Sequence, residues 1–272
     1  MDGVLIDKEL NVAGIDALFS RSALALIVKN FCGREQSAAM SDWFFYHEGR
    51  QNYRYSDATG HLHHSDTDRV GVPFSEFYKF LLDPSTSQHD IECIRRDLAR
   101  TSQEHMESIS RQFMPLESPI DSIKFLLNAL WPSGAKVATF MGLQPCIGLA
   151  RIIAPGAKLQ ADSNPHLDWL PPSIASLDRQ FSAITYLDVP AKGGELEIWN
   201  VSLDRIMFLI ETRGTLRRVD LPDPISIKPE IGDLILIDTR NPHAVRGFEE
   251  GRRIVQTCFI GAKGDNPLLL WS

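Results

Sequence analysis

The chain has 272 residues, 43% of them hydrophobic, enough to bury a sizeable core in one domain or in one domain with a large extension. Its formal charge of -7, with no compensating basic stripe, argues against a nucleic-acid-binding surface. No run approaches the ~18 apolar residues of a membrane span, and Asp2, Asp7, Lys8 and Glu9 stand where a signal peptide would be apolar. Four dispersed cysteines, Cys32, Cys93, Cys146 and Cys258, contain no CxxC pair, so free thiols in a cytoplasmic protein are expected, with neither a membrane nor a nucleic acid as partner.

Residues 24–28, Leu-Ala-Leu-Ile-Val, predict a buried strand, and the more polar stretch from Arg34 to Tyr46 predicts a helix after it. From Gly49 to Gly71 the crowding of His61, His63, His64, Asp66, Asp68 and Arg69 predicts a loop. Helical spacing then dominates, in Phe74, Phe77, Tyr78 and Leu81, in Ile91, Ile94 and Leu98, and in Ile123, Leu126, Leu127 and Leu130.

Past Trp131-Pro132-Ser133-Gly134 the pattern changes to short β-type runs: Val137–Phe140, Ile147–Ile153, Phe181–Leu187, Glu195–Trp199, Ile225–Lys228, Leu234–Asp238 and Ile254–Ile260. The expected fold is α+β: a cupin-like double-stranded β-helix, or jelly roll, over residues 135–262, preceded by a helix-rich part (1–134) packed on one sheet and followed by a tail (263–272). One domain, 1–272, is expected.

Side chains at i and i+2 of an extended strand point the same way, so His166 and Asp168 can offer an imidazole and a carboxylate to one metal ion. His243, after the turn and apolar run Ile231–Asp238, can supply a second imidazole. Two histidines and one carboxylate with the other positions open is the arrangement of non-haem Fe(II) oxygenases. An HxD triplet is weak evidence alone: His64-Ser65-Asp66 is a second one, read as part of a solvated loop. Arg253 would lie with Val255, Thr257 and Phe259 on one face of a strand, offering a forked cation for a carboxylate, while Arg252 reads as a surface residue.

The ordered set His166-x-Asp168, Gly193-Gly194-Glu195-Leu196, Gly232-Asp233-Leu234, His243 and Arg253 resembles the Fe(II)/2-oxoglutarate-dependent oxygenases over most of residues 135–272. Within that superfamily the strands after Gly193-Gly194, the Arg252-Arg253 segment and the closing Trp271-Ser272 resemble the group of N-succinyl amino acid hydroxylases and freestanding indole-alkaloid halogenases. The halogenases have glycine where this chain has Asp168, and the carboxylate points to oxygen transfer.

The resemblance implies Fe(II) held by His166, Asp168 and His243, with 2-oxoglutarate and O2 as cosubstrates and Arg253 pairing the distal carboxylate of 2-oxoglutarate. It also implies that the segment before the jelly roll lines the substrate pocket, bringing Asp66, Thr67 and Arg69 near a polar small molecule. For Arg69, a surface arginine is an equal reading. Trp169 is either an apolar wall of the site or a core tryptophan. The expected activity is hydroxylation of an unactivated C–H bond of a small polar molecule, such as an amino acid derivative or natural-product intermediate. The alternatives are the same iron chemistry ending in desaturation, epoxidation or cyclisation, or a non-catalytic jelly-roll binding protein.

Overall fold

The computed structural model describes residues 3–56, 62–153 and 164–272, without the side chains of residues 54–56, 62–66 and 79. The chain runs β1 (Val4–Asp7), α1 (Val12–Phe19), β2 (Ala25–Val28), α2 (Arg34–Phe45), β3 (Gln51–Ser56) and β4 (Leu62–Val70). After a 3-10 turn at Phe74–Phe77 come α3 (Tyr78–Leu82), α4 (Gln88–Phe113) and α5 (Pro119–Leu130). The rest is mostly strand: β5 (Ala135–Val137), β6 (Leu149–Ile153), β7 (Arg179–Asp188), β8 (Leu196–Ile198), α6 (Leu203–Arg213), β9 (Ile225–Ile227), β10 (Leu234–Asp238), β11 (His243–Val245), β12 (Arg253–Ala262) and β13 (Leu268–Trp271).

Among the described residues the strands form a large sheet, β1-β2-β10-β7-β12-β6-β4-β3 with β13 and β5 attached beside β12, and a small sheet, β11-β8-β9. Together they make the double-stranded β-helix. Alternation along the strands sorts the side chains into two layers. Inward-facing Ile184, Tyr186, Ile235, Ile237 and Val255 of the large sheet meet Leu196, Ile198 and Ile227 of the small one. Outward-facing Ala150, Ile152, Ile254, Cys258 and Ile260 pack under Leu18, Met40, Phe44, Ile109, Ile123 and Leu127 of the helices. Each such fully buried aliphatic side chain contributes about 1.5–3 kcal/mol.

The helices begin where local chemistry stops the preceding loop. Ser87, Ser118 and Ser202 each accept a hydrogen bond from a backbone N–H three residues on, and Pro119 opens α5. Helix α6 ends at Gly214, whose φ of 74° turns the chain away.

The stretch expected as a loop, Gly49–Gly71, instead carries the β3–β4 hairpin, with β4 joined to β6 through Asp68↔Ile152, Arg69↔Arg151 and Val70↔Ala150. Its polarity reflects where it lies. Strand β3 is a sheet edge, and the inward face of β4 carries Thr67 and an Arg69 paired with Glu76 rather than apolar side chains. The large sheet also recruits β1 and β2 from the N-terminal part, and residues 268–271 are a buried strand, β13. No helix among the described residues is long and apolar enough to cross a membrane.

Candidate metal centre

The segment carrying His166 and Asp168 is sewn to the edge of the small sheet by backbone bonds. His166 and His243 exchange two, each 3.0 Å, and the Asp168 N–H donates to the Thr239 carbonyl at 3.0 Å. Gln180, buried in β7, clamps the next turn with both ends of its amide. Its Oε1 accepts from the Leu170 N–H at 2.6 Å and its Nε2 donates to the Asp168 carbonyl at 3.0 Å.

Two glycines fix the surrounding turns. Gly232, with φ 91°, lies so close to the Cys32 carbonyl that a Cβ would stand 2.2 Å from it; Gly193, with φ 72°, is as tight against the Gly247 carbonyl.

This frame brings the three expected ligands together. Their donor atoms all lie within 4.8 Å of one another. Asp168 Oδ2 is 3.5 Å from His243 Nε2 and 3.8 Å from His166 Nε2, and the two imidazole centroids are 4.3 Å apart. Cis donors around a divalent first-row ion stand on the order of 3 Å apart, given bonds of about 2.0–2.2 Å. Small side-chain adjustments therefore suffice.

The donor chemistry fits as well. His243 Nδ1 donates to the Asn241 carbonyl at 3.0 Å, which fixes the ring with Nε2 turned toward the Asp168 carboxylate. His166, with 46% of its side chain exposed, is pulled below its ordinary value by desolvation and then by the charge of His243. Desolvation works to raise Asp168, but the His243 hydrogen bond and the charges of His166, His243 and Arg151 outweigh it and keep the carboxyl well below its usual range.

Arg253 is 5% exposed and points inward, its guanidinium 5.1 Å from the Tyr186 ring centroid and its Nη2 3.3 Å from the Tyr186 hydroxyl. Its Nε has no partner. Among the described residues no carboxylate pairs with it, which is unusual for so buried a cation. Arg252 turns the other way, to Asp42 of α2 and Asp188 of β7.

The substrate-side expectations divide. Arg69 faces inward but is bound by Glu76, at 2.8 Å, and by the Gly71 carbonyl. Thr67 is partly buried on the same face of β4. The side chain of Asp66, and with it the triplet His64-Ser65-Asp66, lies outside the described residues. Trp169 is 44% exposed and so is no core tryptophan. Two residues that the sequence did not single out belong to this region: Gln180, and Arg151 on β6. Gln180 sits in an apolar strand with no local sign of what its amide reaches.

Residues 154–261 match the family model described as the 2OG-Fe(II) oxygenase superfamily. The chain is similar to L-gamma-glutamyl-L-propargylglycine hydroxylase of Streptantibioticus cattleyicolor, 26% identical over 217 residues that span 76% of this chain and 77% of that one. It is also similar to L-isoleucine 3(1)-dioxygenase of Pantoea ananatis, 28% identical over 94 residues, covering 32% of this chain and 31% of that one. In fold it is similar to the non-heme alpha ketoglutarate dependent carbocyclase SnoK from nogalamycin biosynthesis, with a TM-score of 0.50, 13% identity and 97% of each chain covered. The family match falls on the strands that frame the His-Asp-His cluster, and over those residues the chain is similar to the 2OG-Fe(II) oxygenases, oxidoreductases that use Fe(II), 2-oxoglutarate and O2.

Proposed function

We propose that His166, Asp168 and His243 are the iron ligands of this oxygenase, that Arg253 holds the distal carboxylate of 2-oxoglutarate, and that the substrate is a small amino acid derivative hydroxylated at an unactivated C–H bond. The observation that carries the site is the convergence of three donors within 4.8 Å. On the inward face of β12, Arg253 adds a buried guanidinium without a carboxylate partner among the described residues. The substrate class is supported by the two relatives, one named for a γ-glutamyl amino acid and the other for isoleucine.

When bound, the iron supplies the oxidising power of O2, drawn through oxidative decarboxylation of 2-oxoglutarate. The protein's own part is positional. Backbone bonds hold the His166 segment against β11, Gln180 fixes Asp168 from below, and Arg253 sets the far end of the cosubstrate. Asp168 and the neutral His166 reach the ion without first losing a proton near neutral pH. The inward faces of β4 and β6 close the cleft and keep water from the reacting centre.

The chain works in this reading as a single unit in a reducing cytoplasm, which suits its four unpaired cysteines, three of them buried. Anaerobic titration with Fe(II) and 2-oxoglutarate tests the site. The weak visible charge-transfer band of the chelated cosubstrate is expected, and its absence at saturating concentrations refutes the assignment.

A further inference from the structure

Three arginines share the inward face of the large sheet. Ala150 and Ile152 belong to the helix-side core, so Arg151 between them points the other way, into the cleft. Strand register places Tyr186 opposite Val255, Val255 opposite Arg151, and Arg151 opposite Arg69, making one row across four strands. Arg253, opposite Ile153, stands one level further along.

These guanidiniums are not equivalent. Arg69 is neutralised by Glu76. Arg253 is accounted for by the cosubstrate. Arg151 has neither kind of partner: among the described residues no carboxylate or hydrogen-bond acceptor reaches it, and its Nε is buried without a bond. Among the described residues it lies over the Tyr53 ring, with the guanidinium carbon 5.4 Å from the centroid. A cation on an aromatic face, beside a second arginine and short of a counterion, is a site that an anion would stabilise.

The direction of that site is also defined. The inward face that carries Arg151 also carries Arg253 one level along the β6–β12 register, so both guanidiniums open on the same side of the sheet. Tyr78 of α3, half-buried, packs edge-on against Phe74 with ring centroids 5.4 Å apart, beside the Ser75 that contacts Tyr53. Tyr53 is fixed in turn by Ser75, hydroxyl to hydroxyl at 3.3 Å.

We propose that Arg151 is the specificity-determining residue for the substrate, taking its α-carboxylate on the inward face of the large sheet beside the Tyr53 ring. The proposal rests on the reading of the centre as an Fe(II) and 2-oxoglutarate site. It moves the anion-receiving role expected of Arg69 to its cross-strand neighbour. Two unpaired guanidiniums then serve two carboxylates, one on the cosubstrate and one on the substrate, and the substrate is an amino acid or N-acyl amino acid with its carboxyl free.

The test uses the full chain loaded with Fe(II) and 2-oxoglutarate. Probes are the free L-amino acids, their N-succinyl derivatives and γ-glutamyl-L-propargylglycine, each beside its α-carboxamide, with succinate release in air as the readout. At least one acid is expected to stimulate the wild-type protein, with its carboxamide weaker by roughly tenfold or more. Arg151→Gln is expected to raise the KM for that acid by about the same factor, to lose the preference for acid over amide, and still to form the visible 2-oxoglutarate band. Arg151→Lys is expected to restore part of the preference.

Equal response to acid and amide in the wild type overturns the proposal, and needs no variant to fold. So does an unchanged KM in Arg151→Gln, or silence of every acid in a protein that forms the band. Loss of the band in Arg151→Gln would make the residue a cosubstrate ligand instead. Failure of the band in the wild type removes the metal-site reading itself.

Discussion

Replacing Arg253 by leucine separates the two neighbouring arginines at the start of β12. Arg253 is 5% exposed, its Nε is unbonded among the described residues, and its hydrogen bond to Tyr186, at 3.3 Å, is long. Most of its donors are thus free for a carboxylate. A charge-assisted contact of this kind is worth about 1.5–3 kcal/mol, so 2-oxoglutarate affinity should fall by roughly one to two orders of magnitude. The protein without cosubstrate should not lose stability, because the substitution removes a buried cation that had no counterion.

Arg252→Leu should behave in the opposite way. Its side chain is 26% exposed and ties Asp42 of α2 to Asp188 of β7. Losing it should cost about 1 kcal/mol of stability, typical of partly exposed pairs, with 2-oxoglutarate binding little changed. Anaerobic titration followed by the visible band gives the affinities, and chemical denaturation gives the stabilities. A larger loss of affinity in Arg252→Leu than in Arg253→Leu would show that the facing of this strand has been misjudged.

His166→Ala and His243→Ala should each abolish iron retention while leaving the fold intact by circular dichroism, whereas His64→Ala should retain iron at the wild-type ratio by metal analysis. Gln180→Leu should weaken iron binding by roughly tenfold through a looser Asp168, in the range seen when outer partners of metal ligands are removed; calorimetric Fe(II) titration measures it. His105 on α4 donates to the Gly148 carbonyl and is held by burial down to about 4 from 6.5. The native state therefore binds fewer protons than the unfolded chain between those values, and stability falls as pH drops below about 6.5, levelling near pH 4. The total is on the order of 3 kcal/mol, and His105→Gln should flatten the acid limb of the denaturation profile. Gly232→Ala should impair folding, since its Cβ would collide with the Cys32 carbonyl, and soluble yield and melting temperature report it.

What could be read from the chain before folding depended on how local each signal is. The pairing of His166 with Asp168 was legible because alternation along an extended segment puts the two side chains on one side, and the Gly232-Asp233 turn feeding an apolar run announces β10. The helices from Phe74 to Leu130 followed from their spacing. The β3–β4 hairpin was not legible, because a strand whose inward side carries Thr67 and Arg69 loses the apolar alternation that marks strands elsewhere. Helix α6 carried its signals, Ser202 before it, Gly214 after it and Ile206, Leu209 and Ile210 at helical spacing, but they were hidden among β-type runs. Gln180 and Arg151 were beyond reach for a different reason. Each is an ordinary polar residue in an apolar strand, and its meaning arises only from what the cross-strand register sets beside it.

The way Asp168 is held also bears on how such a centre can change its chemistry over time. Its position is secured through main-chain atoms, an N–H to Thr239 and a carbonyl to Gln180, while the carboxylate faces the two imidazoles. The scaffold is therefore indifferent to the side chain at this position. If Asp168 is an iron ligand as proposed, exchange for glycine would vacate one corner of the coordination sphere while the loop, both histidines and the small sheet kept their places. A side chain so mounted is a replaceable part: under that reading a lineage can trade oxygen transfer for another ligand on iron in one substitution, without first rebuilding the walls around it.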